Sequence, residues 1–231
     1  MSPLDFEPLN KISILEPSKP GTLFCFGHGF SSRALARRLI PKGWEISGTC
    51  RDIDSKNILN NEGQLYKYDG ININKEIYNA IEKSTHLLIS IPPQVSKDPV
   101  LDRFSNEILN WKHLKWIGYI SSTGVYGDAK GEWVDEKSTL NLATAINQRR
   151  AAVENAWLKL YKVNSLPIII FRCGGIYGPG RNILISVKLG RSKRIEKPGL
   201  VFSRIHVDDL AQTLEASMLN PMPGEIYNVS D

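Results

Sequence analysis

The chain has 231 residues, 42% of them hydrophobic and 23% charged, ordinary globular usage that excludes a disordered or fibrous class. Twenty-nine basic residues against 24 acidic give a net charge of +5, which suits an anionic ligand such as a nucleotide or phosphate. No apolar run approaches the roughly 18 residues needed to span a bilayer, and the N-terminus has no continuous apolar stretch, so neither a membrane span nor a secretory signal is expected. Cys25, Cys50 and Cys173 are odd in number and widely spaced. Neither a disulfide framework nor a metal-ligand pattern is expected from them, and a reducing cytoplasm fits.

Residues 1 to 20 are polar, carry Pro3, Pro8, Pro17 and Pro20, and read as an N-terminal arm. Thr22 to Phe26 is a buried-strand run stopped by Gly27. Ser31 to Ile40 reads as a helix, apolar at Ala34, Leu35 and Leu39 and basic at Arg33, Arg37 and Arg38, ended by Pro41 and Gly43. Strands follow at Trp44 to Cys50 and Gln64 to Tyr68, then a short helix at Lys75 to Lys83. His86 to Ile91 is a strand halted by Pro92 and Pro93, Pro99 to Trp111 a helix, and Lys115 to Ser121 a strand. Leu142 to Tyr161 is the longest helix, with Ile146, Val153, Trp157 and Leu160 at helical spacing. Pro167 to Phe171 is another buried strand, Val207 to Met218 a helix and Ile226 to Val229 a last strand.

Alternating strands and helices, with strands apolar throughout, predict a doubly wound α/β fold around a parallel sheet. Its ligand crevice belongs at the carboxyl ends of the strands.

Gly27-His28-Gly29-Phe30-Ser31-Ser32 stands directly between the first strand and the first helix. Gly27 permits the turn, Gly29 lets the backbone approach a diphosphate, and the helix aims its free N–H groups at that anion. Ser32 occupies the place of a third glycine and is small enough for close helix-on-strand packing. In that place, G-x-G-x-x-S predicts a dinucleotide site, whereas a plain turn is its structural alternative. The second strand ends Thr49-Cys50-Arg51-Asp52. The planar cation of Arg51, assisted by Arg33, suits a ribose 2′-phosphate and favours NADP over NAD, while Asp52 reads as a cap for the next helix. A second basic cluster, Arg191, Lys193, Arg194 and Lys197, suits a phosphorylated small-molecule substrate or is a solvated loop. Neither basic cluster is interleaved with aromatics, which argues against a single-strand nucleic-acid groove.

From Thr22 onward the chain resembles the short-chain dehydrogenase/reductase superfamily, as an atypical member of its extended, epimerase/dehydratase-like branch. The resemblance rests on the glycine turn, Tyr68-Asp69, Ser90-Ile91-Pro92-Pro93, Ser121-Ser122-Thr123-Gly124-Val125-Tyr126-Gly127, and Arg172 with Ile176-Tyr177-Gly178-Pro179-Gly180-Arg181. Ile205-His206-Val207-Asp208-Asp209 and Tyr227-Asn228-Val229 complete it. It implies an NAD(P)-binding Rossmann domain over 21–177. A partial substrate-binding region over 178–231 is expected to be interleaved with the core, its late helix and last strand returning to the sheet. It also implies that Asp69 neighbours adenine, that Ser90, Ile91 and Pro92 pass the cofactor ribose, and that Ser122 and Thr123 orient a substrate oxygen. Homodimerisation through the helices Pro99–Trp111 and Leu142–Tyr161 is implied in the same way.

The family pairs hydride transfer with proton transfer by a tyrosine and a lysine four residues later. Here those positions carry Ile146 and Arg150. Arg150 can bind ribose hydroxyls but gives up no proton at neutral pH. Two readings stay open: an oxidoreductase or epimerase-like enzyme whose proton donor is Tyr126, Tyr177 or His206, and a catalytically silent NADP-binding sensor.

Overall fold

In the computed structural model, the structure describes residues 20–52, 63–73, 75–95, 98–192, 196, 199 and 201–231. Nearly all of the N-terminal arm, the helix that Asp52 was expected to cap, and Lys193, Arg194 and Lys197 lie outside the described residues.

The elements in chain order are β1 (Thr22–Phe26), α1 (Phe30–Leu39), β2 (Glu45–Cys50), β3 (Gln64–Lys67), α2 (Lys75–Glu82), β4 (His86–Ile89), α3 (Leu101–Asn110) and β5 (Trp116–Ser122). They continue with α4 (Ala145–Asn164), β6 (Ile168–Cys173), β7 (Gly175–Tyr177), α5 (Ile183–Lys188), β8 (Arg204–His206), α6 (Val207–Leu219) and β9 (Ile226–Val229). Seven strands form one sheet in the order β3-β2-β1-β4-β5-β6-β9. Every neighbouring pair is parallel. The order reverses between β1 and β4, which is the switch point where a doubly wound sheet opens a crevice.

Both faces of the sheet are covered, and the strand sequences explain how. Along β1, Leu23 and Cys25 point to one core with Leu35, Leu39, Leu210 and Leu214 of α1 and α6. Phe24 and Phe26 point to the other, with Ile77, Ile81, Phe104, Ile108 and Trp157 of α2, α3 and α4. The side-chain period of two thus splits a continuous apolar run between two layers. Arg38 and Lys42 both pair with the buried carboxylate of Glu215, tying α1 and the turn that follows it to α6.

The longest helix is shifted relative to its predicted span. It begins at Ala145 because the Thr144 hydroxyl accepts from the Asn147 N–H at 3.1 Å, and it ends at Ser165, which takes a left-handed conformation. Ile146, predicted to share the apolar face, is 60% exposed; the buried face is carried by Ala151, Val153, Glu154 and Trp157 instead. Two short strands, β7 and β8, pair in parallel as a separate two-stranded sheet that the sequence pattern does not predict. Among the described residues no helix is long and apolar enough to cross a membrane.

Candidate dinucleotide site

The turn after β1 is built as its residue types require. Gly27 has φ +87°, and a Cβ there would lie 2.8 Å from the Ser90 hydroxyl. The Gly27 N–H donates to the Thr49 hydroxyl at 2.9 Å, and the His28 N–H donates to the Thr49 carbonyl, locking the turn to β2. Ser32 is fully buried, and its hydroxyl donates to the Gly27 carbonyl at 2.8 Å. Ser90, at the end of β4, donates to the same carbonyl at 2.6 Å, and Ile91 packs beside it. The serine in the third-glycine place therefore braces the turn instead of only fitting under it. Ser31 is buried in the first turn of α1, while Pro92 is exposed at the mouth of the loop after β4.

Gly29 caps α1 without any side-chain hydrogen bond, and the first turn of the helix holds no acidic residue. A Cβ at Gly29 would meet nothing within 4 Å. The amino end of α1 thus presents its N–H groups to open space, the arrangement that takes an anion. That space belongs to a crevice of about 670 Å3 lined by His28, Gly29, Phe30, Arg33 and Arg37 on the turn and α1. Cys50, Asp52 and Leu65 line it from β2 and β3, and Pro179 and Asp208 from the later segments. A volume of this order accommodates a cofactor-sized ligand.

Arg51 is exposed and does not line this crevice; its neighbours Cys50 and Asp52 do, with Arg33 and Arg37 supplying the cations. Asp69 lies in a second, smaller crevice of about 360 Å3 with Lys67, Asn72 and Ile73. Its carboxylate accepts from the Asn72 N–H, the Asn72 side chain and the Ile71 N–H, which hold its pKa down at about 2.

Further along the sheet edge, Ser122 closes β5 and caps a short 3-10 helix over Thr123–Tyr126, its Oγ accepting from the Gly124 N–H at 3.1 Å. A hydroxyl that accepts one bond keeps its own proton for another partner. Ser122 pairs in register with Cys173, whose carbonyl receives the Thr123 hydroxyl at 3.5 Å. Burial pushes the Cys173 thiol up to about 12, and the cation of Arg150 opposes that rise. Ser122 and Thr123 therefore meet the carboxyl end of β6, where the charge of Arg150 is felt at Cys173. Asn147, in the first turn of α4, brings its Oδ1 to the same place as the Ser122 hydroxyl, beside Gly124. The sequence reading missed Asn147, although its position next to Ile146 was the available signal.

All three tyrosine and histidine candidates have partners within the protein. The Tyr126 hydroxyl accepts from Arg172 at 2.8 Å and donates to Asn228 at 2.8 Å, so both of its hydrogen-bonding directions are used inside the protein. Arg172 also forms a buried ion pair with Glu154 at 2.8 Å, and Glu154 accepts from Ser121. Glu136 accepts from the Asn228 N–H, drawing the loop before α4 onto β9. This network fastens the ends of β5, β6 and β9 beneath the Ser122 region, and Tyr126 is part of that frame. His206 caps α6, its Nδ1 accepting from the Asp208 N–H at 3.2 Å. Tyr177 lies edge-on to His206 at 5.2 Å and donates to Asp231 at 3.0 Å. That hydrogen bond, with burial and the Asp231 charge behind it, raises the phenol pKa, the opposite of what a lysine neighbour does.

This architecture, a parallel seven-stranded sheet with a glycine turn at its switch point, defines a Rossmann-type α/β fold. No family model and no curated protein matches the chain. Among solved structures it is similar to a functionally unknown conserved protein from Silicibacter pomeroyi DSS, at 43% identity and a TM-score of 0.81, over 91% of this chain and 72% of that one. It is also similar in fold to a mutant UDP-glucuronic acid 4-epimerase from Bacillus cereus, solved with a fluorinated UDP-glucuronic acid and NAD. That match has 18% identity, a TM-score of 0.72, and covers 90% of this chain and 77% of that one. The dTDP-glucose 4,6-dehydratase of Bacillus anthracis str. Ames, in complex with NAD, gives 18% identity and a TM-score of 0.72 over 92% and 75%. The chain belongs to the family of the Silicibacter protein.

Proposed function

We propose that the protein binds NADP in the crevice at the glycine turn and acts as an oxidoreductase or epimerase/dehydratase-type enzyme on a small substrate bearing a carbonyl or hydroxyl group. The observation that carries the reading is the amino end of α1, uncapped and facing open space at Gly29. The residues present fit a dinucleotide. The α1 N–H groups would receive its diphosphate, Arg33 and Arg37 its 2′-phosphate, and Ser90 and Ile91 would flank its ribose. Arg33 and Arg37 line the crevice and join Arg51, at the end of β2, in this role. Asp52 in the same lining favours a second cofactor, NAD, whose ribose hydroxyls it could accept from.

When bound, the dinucleotide supplies or accepts hydride. Ser122 keeps a hydroxyl proton to donate to the substrate oxygen, and Thr123 offers a second hydroxyl beside it. Arg150 supplies positive charge and hydrogen-bond donors near the carboxyl end of β6. Tyr177 is the remaining candidate to move a proton, and its raised pKa makes it a weaker acid than the family's tyrosine. The substrate class follows the neighbours of this fold, two of which were solved with nucleotide sugars or with NAD. Homodimerisation through α3 and α4 accompanies this reading.

A second reading, a catalytically silent NADP-binding sensor, draws on Ile146, which stands 60% exposed where a proton donor is expected, and on Tyr126, whose hydroxyl is fully engaged. NADPH consumption with a panel of carbonyl compounds and nucleotide sugars separates the two. Turnover that falls at least tenfold in Ser122→Ala supports the enzyme. Cofactor binding without turnover on any member of the panel, unchanged in Ser122→Ala, supports the sensor.

A further inference from the structure

Against the amino end of α1 lies the turn Gly178-Pro179-Gly180-Arg181. It is closed by two reciprocal backbone bonds, Gly178 N–H to the Arg181 carbonyl at 2.9 Å and Arg181 N–H to the Gly178 carbonyl at 3.0 Å. The turn is seated directly on α1, since a Cβ at Gly178 would lie 3.4 Å from the Phe30 ring and 3.3 Å from His206 Nε2. Its last residue places a guanidinium over the Phe30 ring, 5.5 Å from the centroid. Phe30 is the first residue of α1 and lines the crevice, as does Pro179 in the turn.

The charge at this point is unbalanced. Arg38 and Lys42 are paired with Glu215, and Arg172 with Glu154. Arg181 is exposed and, among the described residues, has no carboxylate partner. The crevice lining itself carries two arginines, Arg33 and Arg37, against two aspartates, Asp52 and Asp208. It is formally neutral, so a further cation beside the α1 N–H groups would add to the hold on a doubly charged diphosphate. A guanidinium presents planar paired donors suited to a phosphate, and stacking on an aromatic face positions it without spending those donors.

We infer that Arg181 is a diphosphate-binding residue, delivered from the later part of the chain onto the amino end of α1 and parked on Phe30. The inference rests on the dinucleotide reading of the glycine turn and adds to it a clamp that the turn's own sequence does not contain. Because NADH and NADPH share the diphosphate and differ only in the 2′-phosphate, Arg181 acts on both alike. Arg33 and Arg37 act on NADPH alone.

The test is calorimetric titration of the full chain with NADH and with NADPH, for wild type, Arg181→Gln, Arg181→Lys and Arg33→Ala. Arg181→Gln is expected to weaken both cofactors by the same factor, about tenfold, the scale of one charge-assisted hydrogen-bond pair at an exposed site. Arg181→Lys restores part of that loss, and Arg33→Ala weakens NADPH only. Thermal midpoints within about 2 °C of wild type are expected for both Arg181 variants, since the exposed side chain buries little. Unchanged affinity in Arg181→Gln, or a loss confined to NADPH, overturns the inference while leaving the dinucleotide reading intact. A wild-type protein that binds neither cofactor overturns both.

Discussion

Replacing Gly27 and Gly29 by alanine separates fold from binding, because the two glycines serve different ends of the same turn. At Gly27 the φ of +87° places an alanine in the left-handed region, which costs about 1–2 kcal/mol. The new Cβ lies 2.8 Å from the Ser90 hydroxyl, which donates to the Gly27 carbonyl at 2.6 Å and the Phe26 carbonyl at 3.2 Å. Moving Ser90 aside loosens those bonds for about 1 kcal/mol more. The total of about 2–3 kcal/mol corresponds to a fall of about 4–12 °C in Tm for a chain of this size. At Gly29 φ is −102° and a Cβ meets nothing within 4 Å, so alanine changes stability by less than about 0.5 kcal/mol. It does intrude on the space proposed for the diphosphate. Gly29→Ala should therefore keep its Tm and lose at least tenfold in dinucleotide affinity, whereas Gly27→Ala should melt early. Differential scanning calorimetry and a cofactor titration on each variant provide the readings. A Gly29→Ala protein as destabilised as Gly27→Ala, or one that binds as tightly as wild type, would refute the division of roles.

The buried network under Ser122 gives a second expectation. Arg172→Ala strands Glu154, which is 1% exposed, and should cost about 3–5 kcal/mol in urea unfolding; a Glu154→Leu and Arg172→Met double replacement should cost clearly less, and equal losses would contradict a paired role. His86 makes stability depend on pH. Burial, seconded by the charge of Lys115, lowers its pKa from 6.5 to about 4, so between those values the unfolded chain binds the extra proton. Stability contributed by neutral His86 is complete above pH 6.5 and is lost as the pH falls towards 4, by about 1.4 kcal/mol per pH unit in that window. His86→Gln should flatten the pH dependence of urea midpoints there, and an unaltered slope would dismiss the assignment. Finally, Ile146→Tyr with Arg150→Lys rebuilds the family's proton-transfer pair on an exposed helix turn. It should leave Tm nearly unchanged and raise NADPH oxidation by about a hundredfold or more if Ser122 already orients a substrate; no gain on any substrate would count against that orientation.

What the sequence made legible is what lies close together along the chain. The glycine turn, the strand-helix alternation and the seven parallel strands all follow from local patterns, and β1 and β9 have their predicted bounds. The crevice was only half visible. Arg33 could be read from its place on the Arg-rich helix, but Pro179 and Asp208 reach the same space from more than 140 residues away by virtue of the topology. Tyr126 could not be excluded from a catalytic role by sequence, because its partners Arg172 and Asn228 stand 46 and 102 residues away. Strands β7 and β8 have three residues each, too few for a period to register.

The claim on which these assignments depend is that the α1 amino end and the open space at Gly29 receive the diphosphate of a pyridine dinucleotide. Isothermal titration of folded wild-type protein with NADPH and NADH tests it most directly. The account predicts saturable one-to-one binding, tighter for NADPH and abolished by a bulkier residue at Gly29. Absence of heat and of competition with either nucleotide at millimolar concentration would contradict it.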